Sequence, residues 1–344
     1  MPTERAPRAQ RALRMGLGTA LAVAASFGFG LPLPVIAPVF AVFLLASVNR
    51  PLSLKAGLGL ALMATLTTGS GLLLIPLLRH FAFAGVLLVG LCLFLAFRHG
   101  LRGGNKLVGT FLVIGLTMIS AAGTSDFGLA LTVIEALVKG LLLAVLALAI
   151  GHGLFPEPAG VPAAPPAPVL AGAEADWVAL RAALVVLPAF LLALINPGAY
   201  MPIILKAVGL GQQSCTATVR SAARELLGST LLAGCLAILF WLALKLFVHL
   251  WMFFLWAWLF ALLLARQLYV LRATRLSPGF WLNCLVTMLI LLGLSVEDSA
   301  TGKDVYSAFA VRLGLFVAIS LYAWLMVYLL DQRRLRRRVQ QPGC

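Results

Sequence analysis

Apolar runs bounded by charge, glycine or proline follow one another along almost the whole chain. A helix needs roughly 20 residues to cross about 30 Å of hydrocarbon. Read against that length, the pattern divides into segments 13–30, 31–48, 54–78, 81–97, 107–122 and 129–154, then 180–195, 201–210, 226–244, 248–264, 280–294 and 309–330. It predicts an all-α, polytopic transmembrane helical bundle of about 12 spans.

The gaps between these segments alternate in charge. Lys and Arg concentrate on the cytoplasmic side of a membrane protein. Basic gaps hold Arg5, Arg8, Arg11 and Arg14, then Arg50 and Lys55, then Arg98, Arg102 and Lys106. They continue with Arg220 and Arg224, then Arg266, Arg272 and Arg275, and end on Arg333, Arg334, Arg336, Arg337 and Arg338. The opposite gaps hold Asp126, the Asn196-Pro197-Gly198 turn, and Glu297, Asp298 and Asp304. This alternation predicts that both termini are cytoplasmic, as is the linker near Pro165. A basic start followed by Ala24, Ala25 and Ser26 would also suit a cleaved leader. The same segment recurs in mid-chain, however, so it is read as a span.

That recurrence extends along the sequence. Arg14 matches Arg181 (181 − 14 = 167), Lys55 matches Arg224 (169), His80 matches His249 (169) and Arg98 matches Arg266 (168). After a longer loop in the second half, Asp126 matches Asp298 (172) and Lys139 matches Arg312 (173). A shift that changes only across a loop is what duplication with an insertion leaves. Two tandem six-span repeats in parallel orientation are therefore expected: residues 1–155 and 177–332, joined by a Pro/Ala-rich linker over 156–176 and followed by a basic tail over 333–344.

Composition agrees with a lipid environment. The chain is 62% hydrophobic and 11% charged, against about 45–50% and 25% in soluble domains. A net charge of +15 would suit nucleic acid if spread over a soluble surface. Here the bases sit in gaps and tails, so the expected partner is the lipid bilayer and not nucleic acid. Cys92, Cys215, Cys235, Cys284 and Cys344 have no CxxC or CxxH spacing, which predicts neither a metal site nor a disulfide framework. Neither a cofactor nor a catalytic role is expected: no phosphate loop, HExxH pair or GxSxG elbow occurs, and the four histidines lie at separate span ends.

Ionisable groups inside spans are costly, so each needs a reason. Lys206 lies in the short eighth segment, after Pro197 and Pro202. It either binds a substrate carboxylate or snorkels to the headgroups. Prolines interrupt the corresponding second segment too, at Pro32, Pro34 and Pro38. Interrupted helices in matching positions point to a transporter site, although proline also simply starts helices. Lys206, Asn196 and Pro34 are thus candidate substrate contacts, as is Asn283, which also suits interhelical packing. Glu135 and Lys139 stand one helical turn apart, as a structural ion pair or as a proton carrier with its base. Arg312 keeps the base of that pair in the second half without an acid four residues before it. Trp241, Trp251, Trp256 and Trp258 read as an interface belt or as the lining of an aromatic path.

The Arg-Ala-Leu-Arg start, the Pro-rich second span, the base four residues before glycine at the third span of each half, and the bases Lys139 and Arg312 together resemble the fusaric acid resistance and aromatic acid exporter superfamily. Larger members carry a sizeable cytoplasmic domain, so this chain is similar to a short branch. The resemblance implies a bacterial inner-membrane exporter of aromatic or other small organic acids, paired with a periplasmic adaptor subunit, and the leading functional expectation is a secondary transporter that exports small organic anions by proton exchange. An anion channel, or a non-transporting membrane scaffold, are the alternative functions. Self-association stays open.

Overall fold

In a computed structural model, residues 5–48, 54–157, 169–170, 172–215, 223–271 and 274–340 are described, and among them there is no strand. Arg50, Arg220, Arg272, Cys344 and linker residues 158–168, Pro165 among them, lie outside the described residues. The helices are α1 (Arg5–Gly28), α2 (Ile36–Ser47), α3 (Leu54–Gly69), α4 (Ile75–His80), α5 (Ala82–Leu101), α6 (Lys106–Ile114), α7 (Ser120–Ser125) and α8 (Phe127–Leu154). There follow α9 (Gly172–Ile195), α10 (Pro197–Ser214), α11 (Ser229–Leu246), α12 (Leu250–Leu268), α13 (Pro278–Ala300) and α14 (Val305–Gln340). A 3-10 turn (Ser70–Leu74) joins α3 to α4, and a π-turn (Gly115–Ile119) joins α6 to α7.

Local chemistry sets the boundaries. Asn105 accepts from Leu107 N at the start of α6, and Ser277 from Phe280 N at the start of α13. Asp126 accepts from Gly128 N and Leu129 N, and Asp304 from Tyr306 N and Ser307 N. The two aspartates thus begin α8 and α14 in the same way.

Among the described residues, nine helical stretches are long and apolar enough to cross a membrane. Their outward sides carry large apolar residues such as Leu73, Phe83, Ile195 and Trp251, each more than two-thirds exposed, which water would not tolerate in such number. Three of the twelve expected segments are not among the nine. α1 is long enough at 24 residues, but four arginines occupy its first half. The 31–48 segment is helical only over Ile36–Ser47, 12 residues, about 18 Å at 1.5 Å per residue. Pro32 and Pro34 explain the loss: neither offers an amide donor, and the chain turns through Gly30 (φ +59°) and Leu33 (φ +51°) before α2 begins. α10 runs past the expected 201–210 to 18 residues.

The helices divide into two compact units, Met1–Leu66 with Leu131–Pro166 and Ser229–Leu313, and Thr67–Ala130 with Ala167–Gly228 and Gly314–Cys344. Within the first, α1 lies along α12 and α2, and α13 packs on α11, α12 and α2. Close approach needs small residues: Gly16 faces Trp258 and Leu262, and Gly293 faces Val35. Within the second, α9 lies along α10 and α5, while α10 also packs on α6, α7 and the π-turn.

Candidate functional site

α10 is built to begin at Asn196. Its side chain accepts from Ala199 N at 3.2 Å, and Pro197 occupies the first turn, where a missing N–H is no loss. Nine residues on, about 14 Å along the axis, Lys206 is 2% exposed and among the largest fully buried side chains. A snorkelling lysine leaves its ammonium in the headgroups, whereas this one is enclosed. The π-turn against which α10 packs is itself wholly buried. Thr117 Oγ1 there donates to Val113 O at 2.7 Å, and Ser120 Oγ donates to Leu116 O. Beside it the 3-10 turn comes so close that a Cβ on Gly71 would sit 2.0 Å from Gly115 O. Lys206 is therefore carried by a helix set against a buried π-turn, and such departures from α-geometry recur at functional sites.

The other expected substrate contacts take different places. Asn196 is an exposed cap, and Lys206 lies more than two turns away along the same helix. Pro34 sits in the non-helical approach to α2, in the first unit, whereas Lys206 is in the second. Asn283 is buried in the first unit; its Nδ2 donates to Ser229 Oγ at 2.6 Å, and Thr287 Oγ1 donates to its Oδ1 at 3.3 Å. That amide ties α13 to α11. Of the tryptophans, Trp251 is exposed and stacks on Phe254, while Trp241 is buried.

Lys139 Nζ donates to Glu135 Oε1 on α8, with about half of each side chain exposed. The pair faces outward. Arg312 has an acid of its own on the preceding helix: it forms a bidentate pair with Asp298, which is 3% exposed. Asp298, expected in an outer gap, is thus a buried partner near the end of α13, and it differs in role from Asp126, its match by sequence shift.

Further ion pairs escaped the sequence reading. Arg14, 3% exposed, donates to Glu157, as does Arg11; Arg181, 4% exposed, donates to Asp331 at 2.7 Å. Trp177 Nε1 adds a bond to Asp331. Arg14 and Arg181 are the matched bases of the repeat, and their acids differ by 331 − 157 = 174, one more than the Lys139 to Arg312 shift. Glu157 went unnoticed because it falls in a stretch read as linker, and Asp331 because it adjoins the basic tail. Burial raises the Glu157 carboxyl, but hydrogen bonds from Arg11 and Arg14 and their charges outweigh it, leaving the group below the usual carboxylate range.

At the far end of α10 from Asn196, a cavity of about 230 Å³ opens in the second unit. Phe97 and Leu101 of α5 supply apolar wall, and Gln212 Nε2 donates to Thr110 Oγ1 at 2.6 Å across it.

Long apolar helices with exposed apolar flanks define a multi-pass helical membrane protein. Residues 11–150 match a family described as a protein of unknown function (DUF2955). No curated protein and no solved structure matches the chain.

Proposed function

We propose that the chain is a secondary transporter exporting small organic acids, aromatic ones among them, across the bacterial inner membrane. The observation that carries this reading is Lys206: a lysine enclosed at mid-helix in a membrane protein, on an element set against a buried π-turn. A cation there offers a carboxylate a desolvated partner, and intramembrane charge of this kind marks ligand paths.

The architecture is taken as a bundle of about twelve elements made of two tandem six-element copies. Supporting this, the first helix of each copy packs on the fourth-span helix of the other: α1 on α12 and α9 on α5. The buried pairs Arg14–Glu157 and Arg181–Asp331 recur at the repeat spacing, and the family match covers most of one copy. Proton exchange would drive export, with Glu135 as carrier, termini in the cytoplasm and a periplasmic adaptor subunit receiving the product.

The test is export of a labelled aromatic acid panel from cells. Lys206→Met, which keeps much of the stem and removes the charge, is expected to reach the membrane in normal amount and lose export at least tenfold, a loss of about 1.4 kcal/mol or more of binding. Lys206→Arg retains part of it. Equal export by Lys206→Met removes the reading, and single-channel currents through purified protein would replace it with an anion channel.

A further inference from the structure

Glu135 and Lys139 belong to one narrow stripe of α8. At 3.6 residues per turn, Leu131, Glu135, Lys139, Leu142 and Leu146 fall within an arc of about 80°, and all five are exposed. The other side of the helix is covered. A Cβ on Gly140 would press on Ile36 of α2, one on Gly57 of α3 would press on Val145, and one on Gly151 would touch Arg14 of α1. Lys139 stands twelve residues into the 28-residue α8, about 18 Å along an axis of about 42 Å. With about 30 Å of hydrocarbon to cross, that is close to mid-depth. Ionisable groups at such depth almost always face protein or a water-filled cavity, and a stripe otherwise made of leucine does not line water. The half-exposed pair therefore calls for a second protein surface.

What covers it must be apolar where α8 carries leucine, and must offer an acid to Lys139 and a base to Glu135 at the same depth. A second copy of α8 does both. Two chains inserted in the same direction, related by a two-fold axis along the membrane normal, bring their α8 helices together in parallel. Lys139 then lies about 6 Å along the axis from the partner's Glu135, within reach of two long side chains. We propose that this stripe is a homodimer interface in which the two Glu135–Lys139 pairs join into one four-charge network, with Leu142 and Leu146 packed against the same residues of a second copy. Each carboxylate gains a second ammonium, and hydrocarbon is excluded from both. The second half of the chain offers no equal face: Ala308 stands where Glu135 does (308 − 135 = 173), and Arg312 is held by Asp298. One such face per chain makes the contact isologous, so association closes at two. This contact is independent of the export reading.

The experiment uses the full chain in membranes, with its five cysteines changed to Ser and its membrane amount verified. Single cysteines replace Leu131, Leu142 or Leu146, and a thiol oxidant is added. Leu91→Cys is the control, at an exposed mid-helix position of α5 in the second unit. At least one stripe position is expected to give a covalent dimer on a non-reducing gel, and Leu91→Cys none. In that cross-linking variant, Glu135→Lys makes both faces positive and Lys139→Glu makes both negative. Each should lower dimer yield about tenfold at equal membrane amount. Co-expressing the two with different tags should restore cross-linking between them, because a positive face then meets a negative one. A pair confined to one helix cannot be rescued this way, since neither variant regains it. Glu135→Met with Lys139→Met removes both charges, avoids any insertion defect of the single-sign variants, and should also lose most of the dimer. No cross-link at any stripe position, cross-linking only to a different protein, a yield unmoved by the charge variants, or a mixture no better than either variant alone overturns the proposal.

Discussion

Glu135 and Lys139 hold opposite charges on an outward side of α8, half exposed, where insertion scales put a lone charge at about 2.5–3.5 kcal/mol. Each therefore needs the other whenever both are ionised. Glu135→Gln is expected to flatten the pH dependence of export at normal membrane level; a normal rate with normal pH dependence would remove the proton role and leave only the pair. Glu157 makes a different pH claim. Its folded-state pKa is depressed below the ordinary carboxylate value, so its contribution is present at neutral pH, above the unfolded pKa. It is lost as acid takes the pH down through the folded value. Thermal stability in detergent should fall on acidification below about pH 5, and Glu157→Gln should melt earlier at pH 7 with a flatter acid limb. Because removing one partner of a largely buried pair strands the other, the loss should be on the order of 3 kcal/mol. A melting temperature equal to that of the unaltered protein at pH 7 would contradict the assignment.

At the scale of elements, the crossing of the 3-10 turn and the π-turn is set by two glycines. A Cβ on Gly115 would lie 2.4 Å from the Thr68 Cα, and one on Gly71 2.0 Å from Gly115 O. Backbone cannot move aside as a side-chain tip can, so Gly71→Ala should lower membrane yield and melting temperature sharply. Gly59→Ala on α3, with open space at its Cβ, should instead be neutral or gain up to about 1 kcal/mol. Size-exclusion profiles and thermal melts of the two variants check this. Neither turn was legible in the sequence: 54–78 and 107–122 read as unbroken apolar runs, because a π-turn changes hydrogen-bond register without changing composition. What apolar length did reveal was the helical, membrane-crossing character of most segments. It failed at 31–48, where Pro32 and Pro34 remove backbone donors from a stretch whose side chains look like any other span.

For the whole molecule, the charge alternation predicts Asp126 and Lys303 on one side of the membrane and Arg98 and Asp176 on the other. Single cysteines at exposed Lys303 and exposed Glu174 give a direct reading in intact cells. Lys303→Cys should label with an impermeant maleimide from outside, and Glu174→Cys only after permeabilisation; the reverse would invert the orientation. The candidate site was only partly legible. Lys206 stood out because charge in an apolar run is conspicuous. Arg14 and Arg181 were visible as matched bases, but of their acids Glu157 lay in a stretch read as linker and Asp331 at the edge of the basic tail. Pairing across more than a hundred residues leaves no local pattern.

Besides α2, α1 packs on α12, which begins at Leu250, more than two hundred residues after Gly28. At synthesis rates of about 5–20 residues per second, the first helix waits some 10–45 s for it. Through that interval the side of α1 that α12 covers stands in the bilayer or in the care of an insertase. The amino-terminal half made alone should be degraded, and the two halves made together from separate messages should rescue each other.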